Sequence, residues 1–247
     1  MKKFKRLFER YKIDGYIVPK NDEFFSEYSS HNRLKNISNF SGSAGIALIL
    51  KNENHLFVDG RYSIQADKES GHIYKIHEVP NTSINDIIKK YNYLNIGYDP
   101  KVFTSKYLKN NFSKKCSLRP LSENLVDLVC GKNSLEIKSF YYLNKKVTGE
   151  SSISKIERIA RHMAKENIYN LFISSPENVA WLLNLRGFDC SNSPIPNCNI
   201  IIDKYKNIYF FSNLKKINKI RENNNLGIKF NSFSNFFNVI QNLKGNN

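Results

Sequence analysis

Apolar positions along this chain alternate between helical and extended spacing. Phe4, Leu7, Phe8 and Tyr11 fall at i, i+3, i+4 and i+7, which predicts an amphipathic helix over 4–11. Ile13 to Pro19 (IDGYIVP) follows as a short buried strand closed by proline. A polar stretch from Lys20 to Lys35 and a glycine-dense turn lead into two apolar runs, Ile46 to Leu50 and His55 to Val58. These flank Lys51-Asn52-Glu53-Asn54 and predict a hairpin. Beyond it the pattern predicts a helix over 64–69, a strand over 74–79, a helix over 84–91, a strand over 96–98 and a helix over 105–112.

The second half starts over in the same order. Ile153, Ile156, Ala160 and Met163 form a helical stripe, with Ser154 and Glu157 at capping-box spacing, and Leu171-Phe172-Ile173 reads as a buried strand. An apolar segment from Val179 to Arg186 is closed by Gly187, and a hairpin is expected from Asn199 to Asp203 and Asn207 to Phe211. A helix over 217–222, a strand over 227–230 and a helix over 236–243 complete the half. The shared order predicts two α/β domains, each a mixed sheet covered by helices. Their boundary is placed near Cys130, giving domains of 1–130 and 131–247, with a lysine-rich connection from Gly131 to Glu150. The strand at Asn95 to Pro100 and the helix after it have no counterpart in the second half, so that domain is expected to be incomplete.

Composition narrows the function classes. Lys and Arg number 38 against 22 Asp and Glu, a formal net charge of +16. Such a field attracts polyanions. The charge is nevertheless spread along the chain, without an arginine-rich, aromatic-interleaved cluster, and the wealth of Lys, Asn, Ile, Tyr and Phe is what AT-rich coding sequence produces, so nucleic acid is not the expected partner. No run of eighteen apolar residues predicts a membrane span, and the N-terminus has no secretory apolar core. Cys116, Cys130, Cys190 and Cys198 have neither framework nor Cys-x-x-Cys spacing and are expected as free thiols in a reducing cytoplasm.

Candidate chemistry is sparse. The five histidines include no His-Glu-x-x-His, and His72 and His77 have the opposite parity of a strand's two faces, which makes them poor ligands of one metal. Gly42-Ser43-Ala44-Gly45 could offer backbone N–H groups to an anion, but the simpler reading is a tight entry into the following strand. Asp59-Gly60-Arg61-Tyr62 ends a strand and sets a guanidinium on a corner, free to fork onto a carboxylate or a peptide carbonyl, or to pair with Asp59 and stiffen the corner. Trp181, the sole tryptophan, sits in an apolar run and is expected in the core.

Several of these motifs, taken in order, resemble the N-terminal portion of the three-domain Xaa-Pro aminopeptidases (aminopeptidase P) of the creatinase and prolidase superfamily. They are IDGYIVP (13–19), Ser26-Glu27-Tyr28, FSGSAG (40–45), DGRYSIQA (59–66), ENLVDLV (123–129) and AWLLNLRG (180–187). The resemblance implies two tandem creatinase N-terminal-like domains, and a pita-bread catalytic domain, absent from this chain, in which manganese or another divalent metal activates water. It also implies that Arg61 contacts bound peptide, with no catalytic or metal-binding residue carried here. The expectation is a cytoplasmic, truncated portion that is inactive alone. It would form a homodimer or pair with a separate catalytic domain, and would meet peptide substrate only with that domain.

Overall fold

The structure is a computed structural model that describes residues 1–26, 31–112, 115–131 and 137–243; Glu27 and Tyr28 of the Ser-Glu-Tyr motif lie outside the described residues. These residues form two compact α/β units, one up to residue 131 and one from residue 137.

In the first unit the chain runs α1 (Lys2–Tyr11), β1 (Gly15–Pro19), α2 (Arg33–Ser38), β2 (Ile46–Leu50), β3 (Asn54–Asp59), α3 (Ser63–Ser70), β4 (Lys75–Val79), α4 (Ile84–Ile88), β5 (Leu94–Tyr98), α5 (Ser105–Asn111), β6 (Cys116–Pro120) and α6 (Leu125–Cys130). The strands form one mixed sheet in the order β4-β3-β2-β1-β5-β6. β1, β2 and β3 are antiparallel neighbours, and β4, β5 and β6 join in parallel. Apolar residues run almost unbroken through the central strands because both faces are covered. Tyr16, Val18, Ala47, Ile49, Leu56 and Val58 pack with Phe4, Phe8, Leu34, Leu125 and Val126 on one face. Ile17, Leu48, Leu50 and Phe57 point the other way, onto Ile84, Ile87, Ile88 and Leu108.

The periodicity located most of these elements, but α2 falls inside the stretch expected to be polar. Its six residues carry a single strong apolar anchor, Leu34, and it is held by polar contacts that no hydrophobic pattern encodes. Asn32 caps its N-terminus by accepting from the Lys35 N–H. Arg33 is buried and makes a two-pronged bond to Asp127 of α6, with Nε and Nη2 each 2.8 Å from the carboxylate oxygens, and a second fork to Glu23 at 3.2 and 2.6 Å. His31 adds a contact of 3.0 Å to Asp127. Burial alone would raise the Asp127 carboxyl; the bonds from His31 and Arg33 outweigh it and hold the group below the ordinary carboxylate range. β6 and α6 also went unforeseen, since β6 (CSLRP) is short, half polar and closed by proline.

A second polar cluster lies toward the outer edge of the same sheet. His55 on β3 and His77 on β4 stack at 5.1 Å between ring centres, with His55 Nδ1 2.9 Å from His77 Nε2. Each has the strand parity its position dictates. The pair was missed because it forms across strands, whereas His72 and His77 were compared along one. His55 Nε2 is 3.2 Å from Glu53, off the line of a hydrogen bond, and Lys75 and Tyr91 donate to that same carboxylate. Those two bonds are the main reason Glu53 is depressed to about 2. Burial lowers both imidazoles, helped at His55 by Lys75 and Lys90 and at His77 by the neighbouring ring and the same lysines, against the opposing pull of Glu53.

The second unit contains β7 (Tyr141–Tyr142), α7 (Lys145–Thr148), α8 (Ser152–Lys165), β8 (Asn170–Ile173), α9 (Pro176–Leu182), β9 (Leu185–Arg186), β10 (Cys198–Asp203), β11 (Ile208–Ser212), α10 (Asn218–Glu222), β12 (Lys229–Asn231) and α11 (Phe236–Asn242). Its main sheet has the order β12-β11-β10-β8, so β8, β10, β11 and β12 repeat the places of β1, β2, β3 and β4. Among the described residues nothing occupies the places of β5 and β6.

Three local readings are corrected. The helix cap is Ser151, which accepts from the Ser154 N–H; Ser154 itself lies inside α8 and bonds Glu150. The segment expected to run to Gly187 breaks after Leu182, and Leu185–Arg186 instead pairs with β7. Gly187 lies where a Cβ would press on Pro196 and Phe140, which is close packing and no helix cap. Trp181 is not in the core but 50% exposed, because α9 turns Val179, Ala180 and Leu182 inward and leaves the indole outside, over the Lys155 ammonium at 4.4 Å.

Two outcomes follow for the first unit. Arg33→Ala strands two partly buried carboxylates and should cost about 3–5 kcal/mol, read as a lower urea midpoint by circular dichroism. For the histidines, both titrate below the unfolded value of 6.5, so the unfolded chain binds more protons at mildly acidic pH. Stability is therefore full above about pH 7 and falls as pH drops through that value toward the folded ones. The midpoint should decline across this window, and a His55→Gln/His77→Gln variant should decline much less.

Candidate functional site

The two motifs singled out in the first half meet at one corner of the first unit. The glycine turn, 40–45, leaves α2 through Asn39, whose φ of 68° suits a helix-ending asparagine. Phe40 then turns back beneath the turn and is fully buried. A Cβ on Gly42 would overlap the Phe40 ring, and one on Gly45 would sit 3.0 Å from that ring, 3.2 Å from Leu34 and 3.3 Å from the Phe57 carbonyl oxygen. The glycines are there to admit an aromatic ring, which favours the scaffold reading of this turn over anion binding. No positive φ is needed at either of them.

The turn carries the corner. The Phe40 ring meets Tyr62 edge to face at 6.0 Å, and the Tyr62 hydroxyl is 2.6 Å from Ser43 Oγ. Glu69 on α3 accepts from the Ser41 backbone N–H and hydroxyl, each at 2.7 Å, and Gln65 donates to Ser41 Oγ and to Glu69. Ser41, Gln65 and Glu69 were not recognised as participants; the signal was available in the spacing of Gln65 and Glu69, four apart on one helix face.

Arg61 sits on a 3₁₀ turn, Gly60–Tyr62, at the end of β3. Asp59 caps that turn by accepting from the Arg61 N–H at 3.0 Å, and its carboxylate also accepts from Nε at 3.1 Å and Nη2 at 2.7 Å. The Arg61 guanidinium lies 5.4 Å from the Tyr62 ring centre. Its side chain is 77% exposed, so Asp59 orients the charge without hiding it. The bonds from Arg61 hold the Asp59 carboxyl below its usual range, and the same pairing raises the guanidinium. Gly60 faces Glu78, whose carboxylate oxygen would be 3.0 Å from a Cβ.

Beside Asp59 opens an apolar groove of about 450 Å³, lined by Pro19, Phe25, Ile46, Val58 and Phe103 among others. It lies at the carboxyl ends of β1 and β3, close to where the sheet's strand order reverses about β1, the position at which open α/β sheets take ligands. Phe25 holds a φ of 56°, a left-handed backbone that bulky residues seldom adopt. Among the described residues no three His, Cys, Asp or Glu side chains converge as metal ligands.

Two profiles, each described as the creatinase/prolidase N-terminal domain, match residues 1–128 and 132–247. The chain belongs to the creatinase/prolidase N-terminal domain family. It holds two such domains in tandem, and a pita-bread domain is not among its matches. Xaa-Pro aminopeptidase 1 of Dictyostelium discoideum is 31% identical over 265 aligned positions, covering 98% of this chain and 42% of that protein. The probable Xaa-Pro aminopeptidase P of Coprinopsis cinerea is 32% identical over 204, covering 77% and 33%. The chain thus spans a third to two-fifths of the length of these relatives. The fold is that of the X-prolyl aminopeptidase from Caenorhabditis elegans, with a TM-score of 0.82 at 22% identity over 93% of this chain and 40% of that one. That protein is described as a cytosolic enzyme with a di-nuclear active site. No helix among the described residues is long and apolar enough to cross a membrane.

The packing at the corner is testable. Gly42→Ala should destabilise the first unit by about 1–3 kcal/mol through overpacking. Combining it with Phe40→Leu should recover part of that loss, so that the two changes are strongly non-additive in a double-mutant cycle read by urea unfolding.

Proposed function

We propose that this chain is the non-catalytic N-terminal portion of an Xaa-Pro aminopeptidase. In this reading it works in the cytoplasm, joined to or paired with a catalytic domain that holds manganese or another divalent ion. Arg61 meets the bound peptide, and the chain alone does not hydrolyse peptides. The observation that carries the reading is the corner itself. A guanidinium is pre-oriented by Asp59, braced through Tyr62 against the glycine turn and left open to solvent. An exposed, pre-oriented fork suits a carboxylate or carbonyl that arrives from outside. The cytosolic description of the C. elegans enzyme supports the location.

The test is an assay of the purified chain with added manganese on an Xaa-Pro-Xaa peptide. No release above the metal blank is expected. Turnover that survives repurification and disappears in Arg61→Ala would overturn the reading. In a fusion to the remaining residues of the Dictyostelium relative, Arg61→Ala should raise KM for peptide more than it lowers kcat.

A further inference from the structure

Arg61 uses one edge of its guanidinium. Nε and Nη2 lie against the Asp59 carboxylate at 3.1 and 2.7 Å, while Nη1 has no partner among the described residues. Arg33 shows both edges in use within the same unit. Its Nε and Nη2 donate to the two oxygens of Asp127, and its Nη1 and Nη2 donate to the two oxygens of Glu23. The Nη1–Nη2 edge of Arg61, on a side chain 77% exposed, is therefore a second fork left open. Two parallel N–H donors match the two oxygens of a carboxylate, whereas a peptide carbonyl brings one oxygen and leaves half of the fork to water.

The groove beside Asp59 adds a second requirement. All of its walls come from residues 19–107, inside the first unit. Three large apolar side chains that stay well exposed line it together: Phe25 at 49%, Val79 at 44% and Tyr107 at 36%. Phe25 does so from its left-handed backbone, a strain of the kind that functional sites retain. Phe103 and Tyr107 place two more rings on the wall, 5.7 Å apart. A volume of about 450 Å³ lies in the range of small-ligand sites. Asp59 is the one charge on the lining, and Arg61 already neutralises it.

We propose that this corner is a subsite for the C-terminal residue of a short peptide, with the free α-carboxylate on the open edge of Arg61 and a large apolar, preferably aromatic, side chain in the groove. A terminal residue carries both groups on one Cα. Asp59, which borders the groove and holds Arg61, sets the two receivers side by side. The proposal rests on the reading of Arg61 as a peptide contact and narrows it, from any carbonyl or carboxylate to a chain end with an apolar last residue. Ala-Pro-Phe is a minimal peptide that satisfies both.

Amide chemical shifts of the isotope-labelled 247-residue chain, followed as peptide is added, test it with three probes. These are Ala-Pro-Phe with its free carboxylate, the same peptide as its C-terminal amide, and Ala-Pro-Ser. Ala-Pro-Phe should shift the amides of 44–46, 59–62 and 102–104. Its amide should bind about fivefold more weakly, the scale of an exposed ion pair of good geometry. Ala-Pro-Ser should bind about tenfold more weakly, through the lost burial of the ring. Arg61→Gln should erase the preference for acid over amide. Phe25→Asn should reduce the preference for Phe over Ser without lowering the urea midpoint, because asparagine accepts a left-handed backbone; a merely structural Phe25 would lower the midpoint. Equal binding of acid and amide, equal binding of the Phe and Ser peptides, shifts confined to other residues, or no shift up to the solubility of Ala-Pro-Phe would overturn the proposal. The broader reading has its own fusion assay, and it survives here if acid and amide bind alike but both weaken in Arg61→Gln.

Discussion

The first unit depends on where one aromatic ring is put. Phe40 fills the space under the glycine turn, and that turn, Tyr62 and the start of β2 are all placed by contact with it. The ring is delivered by α2, a helix too short to be stable by itself. α2 is fixed in turn by Arg33, which spans to Asp127 and Glu23 from a position almost without solvent. Smaller bonds complete the seat. The Ser38 hydroxyl donates to Leu34 O and accepts from Phe40 N–H, while Ser70 and Tyr74 donate to the carbonyls of Ser38 and Ile37. Motifs far apart in the chain are therefore one mechanical series: Asp127 holds Arg33, Arg33 holds α2, α2 seats Phe40, and Phe40 supports the corner that carries Arg61.

This arrangement separates stability from recognition. The buried charges work on α2, where removing one partner leaves others uncompensated in a desolvated site. Arg61 has an ion pair of similar geometry but sits in water, where such a pair contributes little to stability and serves chiefly to aim the guanidinium. The unit places its costly electrostatics at the base of the corner and an accessible charge at its tip.

The second unit shows how the same plan behaves with four strands in its main sheet. Its core on the α8 and α9 face is closed around Phe140, Ile200, Ile202 and Phe210, and a buried Lys216–Asp189 pair ties the loop after β9 to the turn after β11. Among the described residues the opposite face meets α11, whose Phe236 packs on Phe172 and Phe211. Large apolar side chains are exposed near β8 while the equivalent positions of the first unit are buried.

Much of this was legible in the chain itself. Spacing of apolar residues located most of the helices and strands, the hairpins β2–β3 and β10–β11 and the internal repeat, because periods of 3.6 and 2 are local properties. The six motifs from 13–19 to 180–187, taken in order, pointed to the family that the matches over 1–128 and 132–247 show. Tertiary structure alone decided the rest. α2 has no apolar stripe to announce it, since a charge network made by residues about ten and ninety positions away holds it in place. The His55–His77 pair exists only across two strands. Trp181 is outside because α9 packs Val179, Ala180 and Leu182 against the core, and the position between them faces solvent. The role of the glycines could not be read from their own neighbourhood either: what excludes a side chain at Gly42 is a ring whose position is settled by Asp127, far along the chain.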